Sequence, residues 1–422
     1  MKKISILNGQ LFDPTTKQIK PHDLYLADGE IISIDQKPAD FQADQMLDVQ
    51  NCIISPAFID FYTYLREPGA EHKATIQSEI NAAVAQGITT LCCSPATSPI
   101  ADTPAVIKLM MRRAEMTQKA RIMVHGALTQ GLKGEQITEM ASLQQAGCQT
   151  ITNDYQSLRN NLVLRRALEY AATFNLLTII RPQDSALANQ GCAHEGAVNT
   201  HLGLKGIPEA AETVAIATVL ALIELTGAKV HFQGISCAAS VRLLENAKKQ
   251  RLPVSASVNI HQLHLTEHDI ENFNSECHVY PPLRSYEDRQ ALRQAVAEGI
   301  IDIICSDHQP HELDAKKAPF PATEAGISGL ETLLPLTLKL VEENVLTLPQ
   351  ALACLTVNPA QLLGLDCLIK QNTKANLAIF NIEARQQINP DQFLSQGKNN
   401  PFQHWEVPFQ NRYTFFNGEL VY

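Results

Sequence analysis

Tyr62 and Tyr64, in the stretch DFYTYLREPG, are two residues apart and project from the same side of an extended chain. A His-x-His pair in that place would hold a divalent metal for hydrolysis. Phenols have a pKa near 10, so these two stay neutral at pH 7 and ligate poorly. Other polar residues end apolar runs further along: Asn153 and Asp154, then Arg181, then His261, then Asp307, His308 and His311. Two runs end on residues with no donor side chain, Ala96 and Gly234. A carboxylate such as Asp307 can serve as a general base. His308 and His311 could form a metal pair, although two loop histidines are more often hydrogen-bonded scaffold. His261 and His264 read as packing residues, Cys92 and Cys93 as inert core, and Arg66 as a brace for the loop at Glu67. A buried Asp307 without metal needs a cationic or hydrogen-bonding partner, and strand order offers Arg181, Tyr62 and Tyr64.

These residues need elements that bring them together. From residue 53 onward, eight apolar runs alternate with helical patterns: CIISPAFIDFYTYL, GITTLCCSP, RIMVHGAL, CQTITND, LLTIIRP, KVHFQGIS, PVSASVN and IDIICSD. Buried strands with polar C-terminal ends, each followed by a helix, predict an α/β fold, a TIM-type (β/α)8 barrel whose site lies at the C-terminal rim. No strand is followed by G-x-G-x-x-G, which argues against a doubly wound dinucleotide fold. Both chain ends carry short alternating segments with Asn-Gly and Asp-Gly turns, at Asn8-Gly9, Asp28-Gly29 and Asn417-Gly418. They predict one small β-sandwich-like domain from residues 1–52 plus 366–422, beside a barrel of 53–365. The segment HELDAKKAPFPAT (His311–Thr323) reads as a flexible rim loop.

Size and charge narrow the classes. A chain of 422 residues accommodates a barrel and an accessory domain. The net charge of −10 opposes nucleic-acid binding and attraction to anionic membranes. Ten scattered cysteines without a C-x-x-C pair, no apolar signal core and no membrane-length run lead to the expectation of a cytoplasmic protein with reduced thiols.

Four stretches carry a family resemblance: DFYTYLREPGAEHKATI, EGAVNTHLGLKGIPEAAE, YPPLRSYEDRQALRQAVAEGIIDIICSDHQPH and TVNPAQLLGL. Together they resemble the type I dihydroorotases of the amidohydrolase superfamily, over almost the whole chain. The resemblance implies an amidohydrolase barrel and an ancestral metal-assisted cyclisation of carbamoyl aspartate to dihydroorotate. It also implies where metal ligands belong, and there the chain departs from the pattern. Tyr62 and Tyr64 stand at the His-x-His pair, and Arg181 and Gly234 stand at two further histidines. The acidic bridging position falls on Asn153 or Asp154, while Asp307 is retained as a vestigial base. Arg66 and His311 match the family's substrate-carboxylate clamp, and Ala96 and Tyr280 replace two asparagines. The expectation is a chain with no metal and no catalysis, kept in pyrimidine biosynthesis as a structural partner of aspartate transcarbamoylase catalytic chains in homo- and hetero-oligomers. The alternative is an active cyclic amidohydrolase with altered zinc use that hydrolyses dihydroorotate to carbamoyl aspartate. A third reading is a ligand sensor built on Arg66 and His311.

Overall fold

Runs of Ile, Val, Leu, Cys and Thr too short to form helices become the staves of a closed barrel. The structure is a computed structural model describing residues 2–156, 158 and 160–422. The eight strands are Phe58–Thr63, Ile88–Cys93, Arg121–Val124, Thr150–Thr152, Leu177–Ile180, Val230–Phe232, Val254–Asn259 and Ile303–Cys305. Neighbours run parallel. The third resumes after His125 as Gly126–Ala127, and that piece pairs with the fourth. A parallel bridge between Thr63 and His308 closes the ring. Inside it, Ile59, Phe61, Tyr62, Tyr64, Cys92, Leu177, Ile179, Ile303 and Cys305 pack as one cluster.

Amphipathic helices cover the outside, and their starts are written in the sequence. Thr75 and Ser78 form a capping box on Ile76–Val84, as Ser285 and Asp288 do on Tyr286–Ala297. Asn160 caps Asn161–Thr173 by accepting from the Val163 amide. The shell between strands and helices is the largest apolar cluster of the molecule.

Both chain ends build a second sheet. Its order is Glu419–Leu420, Glu406–Phe416, Leu377–Gln387, Ile53–Pro56, Lys3–Asp13, Gln18–Ala27, Glu30–Ile34, with Gln45–Asp48 paired to Lys3–Asp13. The run expected to be the first barrel stave is therefore two strands. Ile53–Pro56 pairs with Lys3–Asp13 and Leu377–Gln387, and the barrel starts at Phe58. Both halves are buried, and Ser55-Pro56 is the mark the sequence carries just before the break at Ala57.

The segment expected to be a flexible rim loop is folded. It contains the short turns Leu313–Lys316 and Phe320–Ala322, which bury Lys316 and Phe320. A strap between the last two long strands of the sheet reaches over to it. Asn399 accepts from the His311 amide and donates to the Gln309 and Gly326 carbonyls. Among the described residues, no helix is long and apolar enough to cross a membrane.

Candidate functional site at the barrel mouth

The strand ends place two carboxylates in the mouth, and backbone geometry aims both of them. Asp154 and Asp307 each follow a strand in the left-handed region, at φ 54° and 48°. Aspartate tolerates that region better than most side chains. Asn153 faces the other way: its side chain accepts from Thr129 and donates to the Gln156 carbonyl. The acidic group in the mouth is thus Asp154, which the sequence left open.

Arg181, at the end of the fifth strand, lies between the two carboxylates. One terminal nitrogen, Nη2, donates to Asp307 Oδ1, and Nε lies 3.4 Å from Asp154 Oδ1. The Arg181 side chain is 4% exposed and that of Asp307 2%, so water screens this pair little. The guanidinium carbon stands 4.0 Å from the Tyr155 ring centre and 4.3 Å from that of Tyr62, held between two aromatic faces.

Neutral donors complete both carboxylates. Tyr62 and Tyr64 donate to Asp154 Oδ1 at 2.9 and 2.5 Å, and Ser94 donates to its Oδ2 at 3.1 Å. Asp307 Oδ2 accepts from Asn259 at 3.0 Å and from Gln309 at 3.2 Å, and the Tyr155 hydroxyl lies 3.2 Å from it and 2.8 Å from the Tyr280 carbonyl. Burial pushes all three phenols up, so they remain protonated donors. Burial also raises Asp307, and the Arg181 charge pulls it back toward ionisation. The expected partnership of Arg181 with Asp307 is present, but the two tyrosines serve Asp154 instead. The third phenol, Tyr155, was missed. Its only signal was an aromatic directly after an acidic strand end.

This donor set does not fit a divalent metal. Three of the groups are neutral phenols, Gly234 brings no side chain, and a permanent cation lies between the carboxylates. Two of the nearby histidines are committed: His125 contacts the Phe61 carbonyl and Thr150, and His231 contacts Ser255 and Ser257. Burial lowers their pKa values to about 4 and about 3. Away from the mouth, His194, Glu209 and Asp288 come close together. There Arg284 donates to His194 Nδ1 at 3.0 Å, which places the imidazole proton on Nε2 and leaves no free nitrogen lone pair.

The remaining candidate residues are held by the scaffold. Arg66 does not reach Glu67, which pairs with Arg113. It donates to the Pro310 carbonyl at 3.1 Å and lies 3.0 Å from His311 Nε2. Lys73 approaches His311 Nδ1 at 3.3 Å. Burial, Arg66 and Lys73 push the His311 pKa down to about 2. His311 Nε2 also lies 3.0 Å from the Ala325 carbonyl, so Arg66 and His311 are both held by the rim segment. His308 pairs with the buried Glu79 at 2.8 Å. His264 donates to the Leu336 carbonyl and packs on Phe402 and Trp405. His261 is buried with neither ring nitrogen bonded to a described residue. Ala96 lines the open side of the mouth, and the Tyr280 hydroxyl donates to the Gly191 carbonyl. Cys92 and Cys93 are buried with raised pKa values, as inert core requires.

Comparison with known proteins gives this geometry its context. The family described as dihydro-orotase-like matches residues 51–240. A dihydroorotase-like protein of Pseudomonas aeruginosa is 43% identical over 420 residues, 99% of each chain. The chain belongs to the dihydroorotase-like family. Another member, a dihydroorotase-like protein of Pseudomonas putida, is 44% identical over 99% of both chains. A dihydroorotase of Geobacter is 36% identical over 99% of this chain and 98% of its own. Among solved structures, an L-hydantoinase from Arthrobacter aurescens superposes with a TM-score of 0.88 at 20% identity, covering 100% of this chain and 96% of its own. A D-hydantoinase from Thermus gives 0.85 at 20%, covering 99% and 94%. The fold is that of the amidohydrolase barrels with a β-sandwich domain.

Proposed function

We propose that this chain is a non-catalytic member of the dihydroorotase-like family, working in the cytoplasm as an assembly partner of aspartate transcarbamoylase catalytic chains in pyrimidine biosynthesis. The observation that carries the loss of catalysis is the Arg181 guanidinium ion-paired to Asp154 and Asp307 where a hydrolase of this type would keep its metal. A permanent guanidinium held by both carboxylates does not lower the pKa of a bound water as a zinc ion does. The partner is proposed from family resemblance. The test has two arms. Dihydroorotate hydrolysis and carbamoyl-aspartate cyclisation are assayed with and without added zinc, and both rates should stay at background. Co-expression with transcarbamoylase catalytic chains should yield a joint complex, and removal of this chain should lower transcarbamoylase activity. Stoichiometric zinc with turnover well above background would overturn the first half, and a transcarbamoylase indifferent to this chain the second. The retained pair Asp154 and Asp307 favours an active amidohydrolase as the alternative, with Asp307 as base. That reading requires Arg181 to leave Asp307, so it predicts turnover that Asp307→Asn abolishes.

A further inference from the structure

The opposite end of the barrel holds a second polar anomaly. Inward positions of the strands are apolar at Ile59, Cys92, Leu177, Ile179 and Ile303. In the third strand, Arg121 pairs with Thr90 and Met123 with Cys92, so Arg121 and Met123 lie on the face that points inward. Arg121 thus begins an inward row with a permanent charge, at the floor of the barrel.

It opens onto a cavity of about 280 Å³ between that floor and the accessory sheet. The walls are mixed: Pro56, Ile59, Leu368, Ile369, Leu377 and Phe416 supply apolar surface, and Thr89, Thr90, Thr373 and Asn376 supply polar surface near Arg121. The other charges at the cavity are satisfied. Asp366 pairs with Lys370 at 2.7 Å and accepts from the Leu368 amide at 2.9 Å. Lys374 donates to the Asp28 carbonyl at 3.0 Å and pairs with Glu30 at 3.3 Å. The Arg121 guanidinium has no hydrogen-bond or ion-pair partner among the described residues. The space equals about nine water volumes, enough for a small organic molecule.

We propose that this cavity binds a small carboxylate with an apolar body, Arg121 gripping the carboxylate and the Leu368–Phe416 walls covering the rest. A planar guanidinium with free donors matches a carboxylate in two parallel hydrogen bonds. One arginine does not offset the desolvation of a multiply charged anion, so a monocarboxylate is the better match. The site lies at the far end of the barrel from Arg181, and the inference does not depend on whether the mouth is catalytic.

The test uses the full chain with benzoate and hexanoate as probes and benzamide as the neutral control, measured by calorimetry and thermal shift. Benzoate and hexanoate should bind saturably, one per chain, and raise Tm, with benzamide at least about tenfold weaker. Arg121→Gln, at an exposed position, should keep the unliganded Tm and weaken benzoate about tenfold or more. Leu368→Trp, which fills the cavity from its half-exposed rim, should weaken both probes. Absence of carboxylate binding overturns the proposal. So does benzamide binding as tightly as benzoate, or undiminished benzoate affinity in Arg121→Gln.

Discussion

Arg181 balances two buried carboxylates with a single charge, so its removal exposes a steep cost. Arg181→Met should destabilise the protein by about 3–5 kcal/mol in denaturant unfolding, because Asp154 and Asp307 are then left as unpaired buried charges. Arg181→Lys should recover only part of this, since an ammonium cannot reach both carboxylates or stack between Tyr62 and Tyr155 as the planar group does. Tyr64→Phe strips one donor from Asp154 and should cost about 1–3 kcal/mol. Combined with Tyr62→Phe the two losses should depart from additivity, since both hydroxyls serve the same oxygen. Much of this site was legible in the residues. Positions after strands follow from counting apolar runs, and a phenol, a guanidinium or a glycine reads directly as a poor ligand. What the sequence did not disclose was which partner each group takes. Asn153 and Asp154 are adjacent, and only the left-handed turn at Asp154 decides which enters the mouth. Asn259 reaches Asp307 from the end of the neighbouring strand, and nothing local in its segment announces it.

At the level of elements, the alternation of apolar runs and helical patterns located the helices and barrel strands well. The reading failed where two buried strands abut: Ile53–Pro56 and Phe58–Thr63 are parted only by the Ser55-Pro56 signal and Ala57, yet belong to different sheets. It failed again at the rim, where polar composition suggested mobility but long-range bonds impose order. Asn399 supplies three of those bonds from a segment of the accessory domain. Asn399→Ala should therefore cost at least about 2 kcal/mol. It should also speed amide hydrogen exchange in His311–Gly326 far more than in the barrel strands. Unchanged exchange there would show that the strap does not order the rim.

For the molecule as a whole, buried titratable groups set the pH dependence of stability. His125, His231, His261 and His264 have burial-lowered pKa values of about 4, 3, 3 and 3, against an ordinary 6.5. Their contribution is complete above pH 6.5 and drains as pH falls toward 4, each neutral histidine approaching about 1.4 kcal/mol per pH unit within that window. Asp60 and Glu331 behave oppositely. Burial raises both to about 7, so their contribution is complete at acid pH and is lost as pH rises through 7. Calorimetric Tm should climb from pH 4 and level off near ~7, and Glu331→Gln should steepen the climb by removing a contribution that falls over the same interval. A Tm that climbs steadily to pH 8.5 would contradict this balance.

A cation that is part of the polypeptide cannot be stripped by a chelator or withheld by a metal-starved cell. With Arg181 as the built-in counter-ion of Asp154 and Asp307, the barrel should mature at the ribosome's pace, without waiting for a metallochaperone. EDTA should leave its melting curve where it was. Any assembly built on this chain would then be uncoupled from zinc nutrition.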